Sequence, residues 1–134
     1  MKKILLSGLA VLIGATLMLA LDESALQTKM KAMGKASKAG GKAAADGDMD
    51  AVAMNAKAIA EAFDGTESFW ADKKMDDAVQ WTKDGMAAAK ALGAAAAAKD
   101  ADAVRAAQGK VGASCKQCHT AHREQVSQGV YKIK

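Results

Sequence analysis

Cys115-Lys116-Gln117-Cys118-His119 is the stretch on which the reading of this chain turns. At 3.6 residues per turn, positions i, i+3 and i+4 share one face of a helix, so Cys115, Cys118 and His119 can address one flat ligand without a break in the backbone. A C-x-x-C-H run of this kind is the attachment pattern of c-type haem, with two thiols for thioether bonds and an imidazole for one axial position on iron. Three other readings compete. A structural zinc site wants four ligands, and with two cysteines and only His119 and His122 as histidines, all four would lie within eight residues of one helix, where a tetrahedron cannot close. A redox-active Cys-x-x-Cys belongs at a helix N-terminus beside a βαβ pattern, and no strand is predicted in this chain. A disulfide between Cys115 and Cys118 would distort the helix that the flanking pattern predicts. The expectation is one covalently attached haem c.

Composition supports a helical setting for that motif. Of 134 residues 51% are hydrophobic but only 4% aromatic, with 33 alanines and no proline. Alanine is the best helix former and proline the worst, so an all-α domain is expected. A core so poor in bulky side chains is marginal in a domain this small, and a large planar cofactor would add apolar surface.

At the other end, Met1-Lys2-Lys3 and the apolar run Ile4 to Leu21 have the charged and hydrophobic regions of a secretory signal. Residues 1–20 are read as a signal peptide cut after Ala20, leaving residues 21–134 as the folded domain and placing it in the periplasm. The apolar run is also just long enough to span a bilayer, so membrane association follows only if the signal is uncleaved. Without Lys2 and Lys3 the chain keeps 17 basic against 15 acidic residues. Its lysines are interspersed with acids along the helices, which gives no case for nucleic-acid binding.

Helical spacing organises the rest. Asp22 or Ser24 caps a first helix bearing Leu26, Met30, Met33 and Ser37, with Gly40-Gly41 weakening its end. Asp46-Gly47-Asp48 makes a turn, and Asp48 or Asp50 caps a second helix from about Met49 to Phe63, whose core stripe is Val52, Ala56, Ile59 and Phe63. A breaker stretch over Asp64 to Ser68 leads to Phe69 and Trp70, then to a third helix over roughly Ala71 to Ala98 with Met75, Val79, Met86 and Leu92 on its stripe. Lys99 to Asp102 starts a fourth helix that carries the motif and frays near Ser127 to Gly129. Four helices with short connections imply an up-down-up-down bundle with a cofactor held between helices.

The run Val111-Gly112-Ala113-Ser114-Cys115-Lys116-Gln117-Cys118-His119, continued by Ala121 and Arg123, resembles the class II cytochromes c, the cytochromes c′ and their low-spin relatives. Weaker matches are Met30-Lys31-Ala32-Met33-Gly34, Gly65-Thr66 and Trp70-Ala71-Asp72. The resemblance implies haem bound covalently by Cys115 and Cys118, His119 as the proximal iron ligand, and a first-helix residue over the distal face. That position matches Met30, as in the low-spin branch, with Met33 one turn on as its rival; a methionine on a helix stripe is more often core filler than a ligand. Arg123 matches a basic residue near the proximal histidine. His122 stands where an aromatic ring is usual in the family and is read as a packing or partly exposed residue.

With His and Met on the iron no open site is left for substrate, and no nucleophile and base constellation is present, so an enzyme is not expected. The expected function is a mono-haem, single-electron carrier outside the cytoplasm, meeting redox partner proteins through small contacts steered by lysines such as Lys35, Lys38 and Lys116. The alternatives are a five-coordinate cytochrome c′ that binds nitric oxide or carbon monoxide, and a non-haem, alanine-rich helical interaction protein. Some relatives form homodimers through the first two helices, and the same is open here.

Overall fold

Aspartates start three of the long helices. A computed structural model describes residues 21–134, and the signal peptide expected over residues 1–20 lies outside the described residues. Asp22 accepts a hydrogen bond from the Ala25 amide at 2.7 Å and opens α1 (Glu23–Ala45). Asp48 does the same for Ala51 at 2.9 Å and opens α2 (Met49–Phe63), and Asp100 for Ala103 at 2.9 Å at the head of α5 (Ala101–His122). Each side chain satisfies an amide that the first turn leaves without a partner. Ser24 lies inside the first turn of α1, where its carbonyl accepts from the Thr28 hydroxyl, so Asp22 and not Ser24 is the cap.

The third predicted helix is two helices. α3 (Thr66–Asp72) is a single short segment, and α4 (Asp76–Ala97) follows a tight reversal at Lys73 to Met75. Lys74 takes φ of 58°, while its amide bonds to the Ala71 carbonyl and the Met75 amide to that of Trp70. That left-handed close is normally made by glycine, and a lysine in its place carries no break signal in the sequence. Thr66 is fully buried, its hydroxyl donating to the Phe63 carbonyl at 2.7 Å, so the expected breaker stretch is mostly helix.

A second correction concerns the C-terminus. Where fraying was expected, β1 (Arg123–Ser127) and β2 (Val130–Ile133) form an antiparallel hairpin turned at Gly129, with a bulge between Gln125 and Ser127. The domain is therefore mostly helical with one small sheet. Ile133 secures the hairpin by packing against Leu26, Phe69, Trp70 and Ala78.

Three core layers fix the direction of each long helix. The upper layer joins Leu26 of α1, Phe69 and Trp70 of α3 and Ala78 of α4. The middle layer joins Met33, Ile59, Phe63, Ala88, Ala89 and Val111, and the lower layer Ala43, Val52, Ala56, Leu92, Ala96 and Val104. Residue numbers rise from upper to lower in α1 and α4 and fall in α2 and α5, which is the up-down-up-down order expected. α1 packs along α2, α2 along α4 and α4 along α5, whereas α1 and α5 meet only sparsely.

The stripe predicted for α2 is buried in full, but that of α4 is displaced. Its core face is Ala78, Thr82, Gly85, Ala88, Ala89, Leu92 and Ala96, while Val79 and Met86 sit at the margin. On α1, Ser37 is exposed and the core face runs through Ala36 and Gly40, so the Gly40-Gly41 pair does not end the helix. A Cβ on Gly40 would meet that of Asn55 at 3.2 Å, so this glycine serves close approach to α2.

Two glycines of α4 give opposite expectations. Alanine is favoured over glycine inside a helix by about 1 kcal/mol. At Gly93 a new Cβ meets the Ala56 Cβ at an ordinary 3.7 Å, so Gly93→Ala should stabilise by up to about 1 kcal/mol. At Gly85 it would fall 2.5 Å from Cζ of the buried Phe63 ring. Overpacking costs about 1–3 kcal/mol, so Gly85→Ala should destabilise despite its helix propensity. Urea denaturation of both variants checks the signs.

Candidate functional site

The sequence places Cys115 and Cys118 one turn apart, and α5 carries them unbroken to His122. Both thiols are free and half-buried. Cys115 packs against the middle layer and Cys118 against the upper one. The residue that joins them is Met30, which is half-buried and packs against both layers. Met30 thus stands on α1 at the height of the cysteines on α5, and those two helices meet only sparsely. Met33 has a different place: at 5% exposure it belongs to the middle layer with Ile59 and Phe63.

Burial alters the chemistry of the thiols. Desolvation, reinforced by the Asp77 carboxylate and by Cys115, pushes the Cys118 thiol up to about 11. Burial also raises Cys115. Both cysteines are therefore protonated at neutral pH, with little of the thiolate that binds loose metal or opens disulfide exchange.

His119 lies at the edge of this arrangement. It lines a cleft of about 360 Å³ between α5 and the hairpin, together with Lys116, Thr120, Arg123, Gln125 and Tyr131. Burial first, and then the positive charge of Arg123, lowers its pKa. The neutral imidazole that iron ligation requires is favoured. Arg123 stacks over the Tyr131 ring at 4.2 Å, so the hairpin holds this guanidinium beside the histidine. Met30, Cys115 and Cys118 thus pack against the same two core layers, and Arg123 lies close enough to His119 for its charge to be felt there.

His122 is committed elsewhere. Its Nε2 lies 2.9 Å from both carboxylate oxygens of Asp77, and because a carboxylate only accepts, this nitrogen donates. The ring is flanked by Trp70 and Trp81 at 6.1 and 5.9 Å between centroids. Desolvation alone would raise the Asp77 carboxyl, but the bond from His122, the Ala78 amide and the histidine's charge hold it below its ordinary value. The packing role read for His122 is the one seen, while its partner Asp77 carries no sequence signal beyond an acid in a helix's first turn.

Trp70 is 3% exposed, and its indole nitrogen is buried with no hydrogen-bond partner. Among the described residues no three His, Cys, Asp or Glu side chains converge on one point, so the donors do not form a cage for a bare ion. They are spread along helix faces instead. No protein-family model matches the chain, and comparison with curated proteins and with solved structures likewise gave no match.

Two outcomes are expected. In the free-thiol chain, alkylation of Cys118 by iodoacetamide should follow a thiolate midpoint near 11 when folded, against about 8.5 in urea. A folded-state midpoint near the urea value would contradict the buried placement. The depressed Asp77 carboxyl contributes stability that is complete above the unfolded value of about 4 and is lost as pH falls through the lower folded one. Asp77→Asn should therefore lower stability at pH 7 and flatten its decline below about pH 4 in a urea titration across pH.

Proposed function

We propose that this chain is an exported mono-haem c-type cytochrome that carries single electrons, with Cys115 and Cys118 holding the haem covalently and His119 and Met30 on the iron. One observation carries the reading: a Cys-x-x-Cys-His run on an unbroken helix, both thiols free and half-buried, faces core layers that share Met30. The donor set fits the group. Two thiols at helical spacing, an imidazole kept neutral and a thioether on another helix suit a flat ligand larger than any ion. Such a haem supplies an iron that passes between Fe(III) and Fe(II), and thioether ligation favours the reduced state relative to bis-histidine ligation.

The chain's own residues supply the rest. Burial keeps Cys115 and Cys118 as thiols until they are used, and holds the His119 side chain neutral. Met30 takes the distal role in preference to Met33 because Met33 is enclosed by the middle layer. Arg123, fixed on Tyr131, sets a positive charge beside the proximal imidazole, where it favours the electron-rich state of the centre. Lys116 extends that charge along the cleft rim, suited to brief contact with an acidic redox partner. Export enters through the leader pattern of residues 1–20. Among the described residues, no helix is long and apolar enough to cross a membrane.

The test is the visible spectrum of dithionite-reduced protein, matured with the export machinery, before and after carbon monoxide. Sharp low-spin bands that carbon monoxide leaves unchanged are expected. Met30→Ala should open the iron to carbon monoxide, whereas Met33→Ala should leave the bands unchanged and cost about 2–5 kcal/mol of stability. A broad high-spin spectrum in the unaltered protein would overturn the Met30 assignment and make gas binding the reading.

A further inference from the structure

A buried indole N–H without an acceptor is costly, because it gives up its hydrogen bond to water and gains none in return. Such orphans are few in folded proteins and each calls for a cause. Trp70 is the buried side chain in this position among the described residues. It belongs to the upper layer, against which Met30 and Cys118 also pack. The missing acceptor is therefore missing at the candidate site and not in a remote part of the core.

No acceptor lies within hydrogen-bond reach of the indole nitrogen. Both Asp77 oxygens face His122, and one of them also receives the Ala78 amide. The Trp70 carbonyl takes the Met75 amide. An internal water is a poor substitute, because it needs two to four polar partners, and apart from the His122 ring, whose Nε2–H is given to Asp77, the layer around the indole is Leu26, Met30, Phe69, Ala78 and Cys118. What suits the position is an acceptor delivered on a large apolar body that enters the layer with it. Haem has that form, since its two propionate carboxylates are the acceptors on an otherwise apolar disc. A cation stands nearby as well: Lys73 lies over the Phe69 ring at 5.1 Å, and Phe69 meets Trp70 edge-on at 5.0 Å.

We infer that Trp70 is a haem-binding residue, its indole Nε1–H donating to a haem propionate at the upper layer. The inference rests on the proposed haem attachment. It makes α3, and the Lys74 reversal that closes it, part of the site, and gives the resemblance at Trp70-Ala71-Asp72 a physical role. A hydrogen bond to a carboxylate favours its charged form, so Trp70 holds that propionate ionised to lower pH.

The experiment uses holoprotein, with attachment first established by the pyridine haemochrome assay. Trp81→Phe leaves Trp70 as the one indole, and ultraviolet resonance Raman then reads its N–H alone; the hydrogen-bonded signature is expected. Trp70→Phe should keep its haem and its low-spin bands, while the pH at which the reduction potential steps moves up by about one unit. With haem attached, a free N–H signature or a step that does not move overturns the propionate contact and leaves the electron-carrier reading standing. If Trp70→Phe does not fold, the Raman signature of Trp81→Phe decides. Absence of attached haem overturns both readings.

Discussion

Small side chains on the facing surfaces of the helices are the constraint on which this structure depends. Nine of the nineteen buried hydrophobic residues are alanine, so much of the core is made by close approach and not by bulk. Dispersion between closely placed backbones replaces some of what large side chains would contribute, yet each alanine removes little apolar area from water. The arrangement works only if the helices are straight, well capped and near one another. That explains aspartate caps on three long helices, the absence of proline, and glycines where α1 meets α2 and where α4 meets the Phe63 ring.

The few large side chains are not spread evenly. Phe69 and Trp70 lie in the upper layer, Phe63 and Met33 in the middle one, and the buried residues of the lower layer are no larger than leucine. Bulk is thus concentrated at the end of the bundle that carries Cys115, Cys118 and Met30. The same end has the indole without an acceptor and the cleft beside His119. A domain limited by apolar area gains most from a large planar group at the end where bulky walls and an unfilled polar requirement coincide. Under the proposed reading, folding and cofactor retention are coupled through these contacts.

Legibility in the sequence followed the size of the signal. The Val52, Ala56, Ile59 and Phe63 stripe was readable because large residues punctuate it, and aspartate caps were readable because they sit before helical runs. α4 was misread in part by the same habit: Leu92 is buried as expected, but Val79 and Met86 lie at the margin, and alanine, threonine and glycine form the rest of its core face. The α3–α4 reversal was hidden because Lys74 adopts a left-handed conformation that its side chain does not announce. The hairpin was missed although Gly129 is followed by Val130, Tyr131 and Ile133, because strands of five and four residues are outweighed by the helical signal before them. At the site, the spacing of Cys115, Cys118 and His119 was evident, and burial separates Met30 from Met33. The Asp77 to His122 contact and the unpartnered indole of Trp70 depend on elements far apart in the chain, which no local pattern encodes.

The two histidines show how the fold assigns different chemistry to like residues one turn apart. A lone C-x-x-C-H helix ending in a second imidazole has two candidate nitrogen donors, and periodicity places them on nearly one face. Tertiary contacts separate them. His122 turns to α4, where Asp77 takes its Nε2–H and two indoles flank the ring, so rotating it away would leave the Asp77 carboxylate with the Ala78 amide alone. His119 has no such engagement; it faces a cleft, with burial and Arg123 disfavouring its protonated form. The geometry therefore leaves one imidazole neutral and free beside the cysteines and fixes the other as part of the wall. Under the proposed reading, ligation at His119 follows as much from occupying His122 as from exposing His119, and Trp70, which lies against that wall and the Met30 layer alike, links the two tasks.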